Sequence, residues 1–285
     1  MFTMKTNASP IFRKLMKPLF LALLSAMVLL WAAPFLWMLV ASFRPDSFGA
    51  QDMASLVPDF IPTTQHFENA FEYGQFPLWY LNSVIFVTGT LVVQLVTISL
   101  AGYAFARLQF RGKEFLFYVF LMQLMLVPPI LIVPNLTTLV KLGLYDTLIG
   151  AMAPYWGSAF GTFMMRQVFR TIPKDFEDAA IIDGCSWWQV LWHVLLPLAK
   201  PGLIAFSIVS VVYHWNEFLW PLMVLSAPDK QVLTVGLVSF ALGAEGASDW
   251  GLIAAGTFLV AAPLFIIFTM FQRQFVNSFM FSGVK

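Results

Sequence analysis

Six stretches of the chain run for about twenty residues or more with almost no charge, at 18–42, 79–106, 115–139, 147–168, 202–226 and 250–272. Each is long enough to cross the roughly 30 Å hydrocarbon core of a bilayer as a helix. In hydrocarbon every backbone N–H and C=O must find its partner within the protein, so only helices and closed barrels can span. Barrel strands would be about 10 residues long with period-two alternation, and these runs do not alternate. The expected fold is an all-α integral membrane protein with six transmembrane helices. Composition agrees. Of 285 residues 59% are hydrophobic and 11% charged, with 30 Phe and 10 Trp, more apolar surface than one soluble core can hide. Pro34, Pro128, Pro129, Pro134, Pro154, Pro221 and Pro263 fall inside the spans. The 128–134 cluster is expected to kink or interrupt the third.

Several chemistries are excluded early. One cysteine, Cys185, forms no intramolecular disulfide, and three scattered histidines lack ligand spacing, so no metal site and no catalytic set is expected. A net charge of +1 argues against nucleic acid. The chain has no G-x-x-x-x-G-K-[ST] phosphate cradle and is not expected to hydrolyse ATP.

Lysine and arginine set the orientation. With six spans, both termini share a side with the loops at 107–114 and 169–201. That side carries thirteen basic residues and the other three (Arg44, Lys141 and Lys230), together the full 16. Both termini, including the 1–17 segment and the 273–285 tail, are therefore expected to be cytoplasmic in a multi-pass protein. The first run could be a cleaved signal peptide, but it is too long and lacks a small-x-small site. The 43–78 segment, with four prolines, reads as an outer loop.

The longest inner loop contains FEDAAIIDGCSWWQVLWHVLLPLAKP, residues 176–201. Residues 174–182 suit a short helix: Pro173 stands near its start, Asp175, Glu177 and Asp178 favour the positive end of its dipole, and Ala179 and Ala180 are strong formers. Gly184 supplies a bend, and a second amphipathic piece over 186–195 carries Trp187, Trp188 and Trp192, residues suited to the headgroup boundary. Two readings stand: a Trp-anchored interfacial connector, or a knob that docks another protein.

Within the spans, Glu217 is the sole carboxylate, costly at bilayer depth unless it faces protein or water. On a continuous helix Tyr213, Asn216, Glu217 and Trp220 share a face. Aromatic rings beside an amide and a carboxylate suit a sugar; a satisfied interhelical contact is the plainer reading. Tyr103 and Arg107 read as a snorkelling anchor, and Met122, Gln123 and Met125 as packing.

The pattern Asp178-Ala179-Ala180, then Gly184, Val194 and Leu196-Pro197, with Glu177, Asp183 and Pro201 around it, resembles the "EAA" loop of binding-protein-dependent ABC transporter permeases of the sugar type, the branch of the maltose transporter's smaller permease. Asn82-Ser83, Ala101-x-x-Ala104-x-Ala106-Arg107, Arg111-Gly112-Lys113, Trp215-Asn216-Glu217 and Gly283-Val284-Lys285 are similar to the same branch. Asp178 stands where the motif has Glu, and Cys185 where Ala is usual. The resemblance implies a single permease domain over 1–285 in a bacterial inner membrane, with 169–201 as a coupling-helix loop between helices 4 and 5. Its ATPase-coupling residues would be Glu177, Asp178, Ala179, Ala180, Asp183, Gly184, Leu196 and Pro197. It also implies a sister permease subunit, two cytoplasmic ATPase subunits that hold the ATP and Mg, an extracytoplasmic solute-binding protein, and no cofactor on this chain. The solute would be a sugar or sugar-like molecule. An ion-coupled secondary carrier or channel subunit is the alternative, though such a carrier would place coupling charges in several helices.

With Cys185 replaced, single cysteines near positions 60 and 240 should label from outside intact cells, and those near 112 and 180 only after permeabilisation; outside labelling near 180 would reverse the orientation.

Overall fold

In the computed structural model, which describes residues 10–45, 61–243 and 249–281, the regular elements are all helical. They are α1 (Pro10–Ser42), α2 (Gln65–Tyr73), α3 (Phe76–Arg107), α4 (Lys113–Leu121), α5 (Ile132–Lys141), α6 (Leu148–Met152), α7 (Ala159–Thr171), α8 (Asp175–Ile182), α9 (Trp187–Gln189), α10 (Leu196–Leu198), α11 (Lys200–Trp215), α12 (Leu219–Val224), α13 (Leu233–Leu242) and α14 (Trp250–Phe281). Short 3-10 turns join several of them, and one π-helical turn covers Val190–Leu195. The Gly283-Val284-Lys285 end and residues 46–60 of the expected outer loop lie outside the described residues.

Three helices are long and apolar enough to cross a membrane unbroken: Pro18–Ser42, Phe76–Arg107 and Trp250–Met270. The others are broken. The third expected span bends by 102° between Lys113–Met125 and Pro128–Lys141, because Pro128 and Pro129 remove two amide donors and clash with the preceding turn. This is the interruption expected from the proline cluster. The fourth was expected as one helix and instead stops at Met152 and restarts at Ala159, with Pro154 in a 3-10 turn and Ser158 capping the restart through Gly161 N–H at 3.0 Å. The fifth likewise ends at Trp215 and restarts at Leu219, ahead of Pro221, whose missing donor disfavours a continuous helix. By length and hydropathy the bent pairs Lys113–Met125 with Pro128–Lys141 and Trp187–Leu198 with Lys200–Trp215, each counted as one span, bring the number among the described residues to five.

The chain divides into two compact units. In the first, residues to Glu72 together with 241–258, Ala41 and Ala254 pack with Trp37 and Met38, and the Trp37 and Trp250 rings meet edge to face at 6.4 Å. Asp249 caps the start of α14 by accepting from Gly251 and Leu252 N–H (2.9 and 3.1 Å), and its other oxygen lies 3.5 Å from buried His66 Nδ1.

The second unit is organised on α3, which packs along α7 and α11. Small residues allow the approach: a Cβ on Gly161 would lie 2.7 Å from Ile98 and 2.6 Å from Phe206, so α7 can touch both neighbours only without a side chain there. Broken spans free carbonyls that hydrocarbon cannot solvate. Polar side chains answer the break in the fourth expected span. Gln94 Nε2 donates to Tyr155 O at 2.7 Å, Thr97 Oγ1 to Trp156 O at 2.6 Å and Trp220 Nε1 to Ala151 O at 2.9 Å. Lower on the same helix, Asn82 Nδ2 donates to Asp229 O and Gln231 O (2.9 and 3.0 Å), and Ser83 Oγ accepts from Leu233 N–H at 2.7 Å.

Gln94 is buried and also accepts from Ser210 Oγ at 2.6 Å, so replacing it by leucine should strand the Tyr155 carbonyl and cost about 1–3 kcal/mol. Thr88→Val, at an exposed site whose hydroxyl bonds only within its own helix, should be near neutral. Unfolding curves of the two variants in bilayer nanodiscs test this; equal midpoints would refute the role given to Gln94.

Candidate functional site

The loop between α7 and α11 folds as its residues direct. Three acidic side chains occupy the first turn of α8, where the helix dipole favours them. At the C-terminus, Cys185 N–H bonds to Ala180 O (2.9 Å) and Gly184 N–H to Ile181 O (3.0 Å), with Gly184 at φ +87°. This is a Schellman ending, whose left-handed residue glycine adopts without strain. One residue later Ser186 and Gln189 form a capping box that opens α9. A stop signal and a start signal in succession produce the bend.

Ala180 faces inward, packed with Tyr103, Phe169, Val190, Leu191 and Leu195. Cys185 and Leu196 sit at the edge of that cluster. Asp178, Ala179, Asp183, Gly184 and Pro197 are exposed, as are the large apolar side chains of Phe176, Ile181 and Ile182, the last at 85%. Glu177 forms an ion pair with Arg107 at the end of α3, and Arg107 Nη2 also donates to Ile172 O at 2.6 Å. The two charged side chains are only 8% and 12% exposed. Arg107 is therefore no snorkelling anchor: it ties α8 to α3. Burial pushes the Glu177 carboxyl above its ordinary range, with Arg107 and Lys174 opposing. Deeper in the same corner, buried Arg166 donates from Nη2 to both carboxylate oxygens of Glu114 (2.7 and 2.9 Å) and from Nε to Phe105 O, and covers the Phe117 ring at 4.0 Å.

A cavity of about 670 Å³ opens in the second unit at the breaks in the 115–139, 147–168 and 202–226 stretches. Tyr213, Glu217 and Trp220 line it with Gln94, Gln123, Asn135, Tyr155, Ser158, Ser210 and His214. The Tyr155 and Tyr213 rings meet edge to face at 6.4 Å, and Glu217 Oε1 accepts from Trp220 N–H at 3.4 Å. Asn216 does not line the cavity: it ends α11 and its Nδ2 donates back to Val212 O at 2.7 Å. The single helical face expected for the four residues is corrected, because the chain leaves the helix at 216–218. The break itself brings Glu217 and Trp220 to the cavity, with Glu217 O accepting from Thr234 Oγ1 at 2.7 Å. Gln123 lines the cavity too, whereas Met122 and Met125 are exposed rather than packed. His214 donates from Nδ1 to Ser210 O at 2.7 Å. Its position beside Tyr213 in the sequence was the signal that could have marked it.

Residues 98–279 match the family of binding-protein-dependent transport system inner membrane components. The chain belongs to that family. It is a permease of ABC importers, and the ion-coupled alternative falls away. The permease is 33% identical over 256 residues to the arabinooligosaccharides transport system permease protein AraQ of Halalkalibacterium halodurans, covering 88% of this chain and 90% of AraQ. It is 31% identical over 265 residues to the diacetylchitobiose uptake system permease protein NgcG of Streptomyces coelicolor, covering 91% and 87%. Its fold matches a chain in the crystal structure of a bacterial ABC transporter involved in the import of the acidic polysaccharide alginate, with a TM-score of 0.83, 22% identity, and coverage of 94% and 99%.

In a double-mutant cycle of Arg107→Met and Glu177→Gln, the coupling energy should be about 1–3 kcal/mol, since each single change leaves a buried polar partner. The Arg107→Met defect should shrink as pH falls: without the guanidinium the Glu177 carboxyl titrates higher still, and protonation removes the unpaired buried charge. A pH-independent defect, measured by thermal unfolding between pH 5.5 and 8, would contradict the pairing.

Proposed function

We propose that this permease forms one half of the translocation pathway of an ATP-driven sugar importer. It pairs with a sister permease, receives solute from an extracytoplasmic binding protein and is driven by two cytoplasmic ATPase subunits, which carry the ATP and Mg; it binds no cofactor of its own. Six spans with both termini cytoplasmic fit the distribution of lysine and arginine, if the broken stretches at 115–139, 147–168 and 202–226 each count as a span.

One observation carries the reading: the surface of α8. An eight-residue helix stands beyond the bilayer runs, braced from behind by Ala180 and the Glu177–Arg107 pair, and presents Phe176, Ile181 and Ile182 outward. Exposed apolar side chains on a braced helix suit a cleft in another protein. With both of its ends rooted in the second unit, movement of α8 by the ATPases would be passed to α3 through Arg107, which is what alternating access requires of a coupling element. Asp178, Ala179, Asp183 and Gly184 would lie at the contact, while Glu177, Ala180, Leu196 and Pro197 would hold its shape.

The cavity supplies the solute wall. Aromatic rings of Tyr155, Tyr213 and Trp220 suit the C–H faces of a sugar, and Gln94, Gln123, Asn135 and Glu217 can bond its hydroxyls. Asn216 would support that wall by ending α11. The names of the relatives point to short oligosaccharides as the solute class.

The test is uptake by the complete complex in proteoliposomes, offered arabino-oligosaccharides and diacetylchitobiose. Ile182→Glu should leave the two permeases associated and abolish uptake with the stimulated ATP hydrolysis. Glu217→Gln should lower uptake about tenfold, the value of a hydrogen bond to a charged group, with the complex intact. Normal uptake by Ile182→Glu would remove the coupling role.

A further inference from the structure

The Trp-bearing segment that follows the bend has a geometry the coupling role does not use. Residues Trp187–Leu198 lie at 75° to α11, the helix that begins at Lys200. Since α11 enters the apolar span, a segment nearly perpendicular to it runs close to the membrane plane, at the level of the headgroups. Its inner side is fully committed: Val190, Leu191 and Leu195 are 0–1% exposed and pack into the cluster that holds Ala180.

The outer side is divided in two. Trp188 and Trp192 are a turn apart with ring centroids at 5.8 Å, and Trp187 joins them at 5.2 Å, forming one patch in which the indoles are 57%, 44% and 41% exposed for Trp187, Trp188 and Trp192. Gln189 and His193, also a turn apart and also exposed, are linked by His193 Nδ1 to Gln189 O at 3.2 Å. The segment thus shows a protein-facing apolar side, an aromatic side and a polar side. Indoles with an apolar body and a polar N–H partition to the boundary between headgroups and acyl chains. Exposed Arg170, Lys174 and Lys200 stand at either end of the loop, where cations are drawn to anionic headgroups.

We propose that Trp187, Trp188 and Trp192 form a lipid-interface anchor, seated in the cytoplasmic headgroup layer, that fixes the height of the segment while α8 contacts a partner. The anchor and the docking surface are separate: the indoles follow Gly184, and Phe176, Ile181 and Ile182 precede it. The proposal requires α11 to cross the membrane but does not require α8 to meet an ATPase.

The experiment places p-benzoylphenylalanine at 188, at 192 or at 182 in the complete complex, held in nanodiscs of phosphatidylethanolamine and phosphatidylglycerol, and identifies the photoproducts by mass spectrometry. Positions 188 and 192 should yield peptides carrying one phospholipid. An adduct to the ATPase or the sister permease at both positions would overturn the anchor. Position 182 reports separately on the coupling reading, so an ATPase adduct missing there leaves the lipid result standing. A second measurement covers low photochemical yield. Bimane on Trp188→Cys, in a chain with Cys185→Ala, should be quenched more by headgroup-attached nitroxide lipid than by aqueous iodide, and the reverse order would refute the proposal.

Discussion

Everything in the second unit depends on how backbone groups are satisfied where hydrocarbon offers no water. The third, fourth and fifth of the expected spans are each interrupted at or near prolines, and each interruption releases carbonyls whose desolvation would cost several kcal/mol apiece. The unbroken α3 carries much of the remedy. Gln94 and Thr97 bond to Tyr155 and Trp156, Asn82 reaches Asp229 and Gln231, and Ser83 receives Leu233. A continuous apolar helix with a few polar side chains thereby becomes the frame on which irregular chain can be held.

That arrangement links structure to transport. A cavity between packed helices is possible only where the packing is incomplete, and the breaks at Met152–Ala159 and Trp215–Leu219 create such a place. Two side chains that satisfy the break in the fourth stretch, Gln94 and Trp220, are also on the cavity wall. At the other end of α3, Arg107 joins the frame to α8. One helix therefore touches both the cavity and the exposed knob, a continuous route by which a force on α8 could change the cavity.

How much of this was legible in the sequence differs by element. The apolar runs at 18–42, 79–106 and 250–272 correspond to continuous helices, because length and hydropathy alone decide a helix that faces lipid. The loop over 174–195 was legible in part: its acidic first turn and Gly184 are signals that act within a few residues, while the equally local Ser186–Gln189 box went unread. The breaks after Met152 and Trp215 were not, although Pro154 and Pro221 marked the regions, since proline in a membrane helix is compatible with a kink or a full interruption, depending on what neighbours can donate. Arg107 was misread for the same kind of reason. A basic residue at a helix end looks like a lipid anchor until its partner, seventy positions away in Glu177, is placed beside it.

The sequence by itself determined the membrane environment, the helical class and the family, because each follows from composition or from short contiguous patterns. Only the tertiary structure decided which polar residues pair across helices, that Ala180 turns inward while Ile182 turns out, and that Glu217 and Trp220 reach a shared cavity by leaving the helix that was expected to align them. Those outcomes rest on backbone satisfaction between segments far apart in the chain, and in an apolar solvent that requirement outweighs the local preference for an unbroken helix.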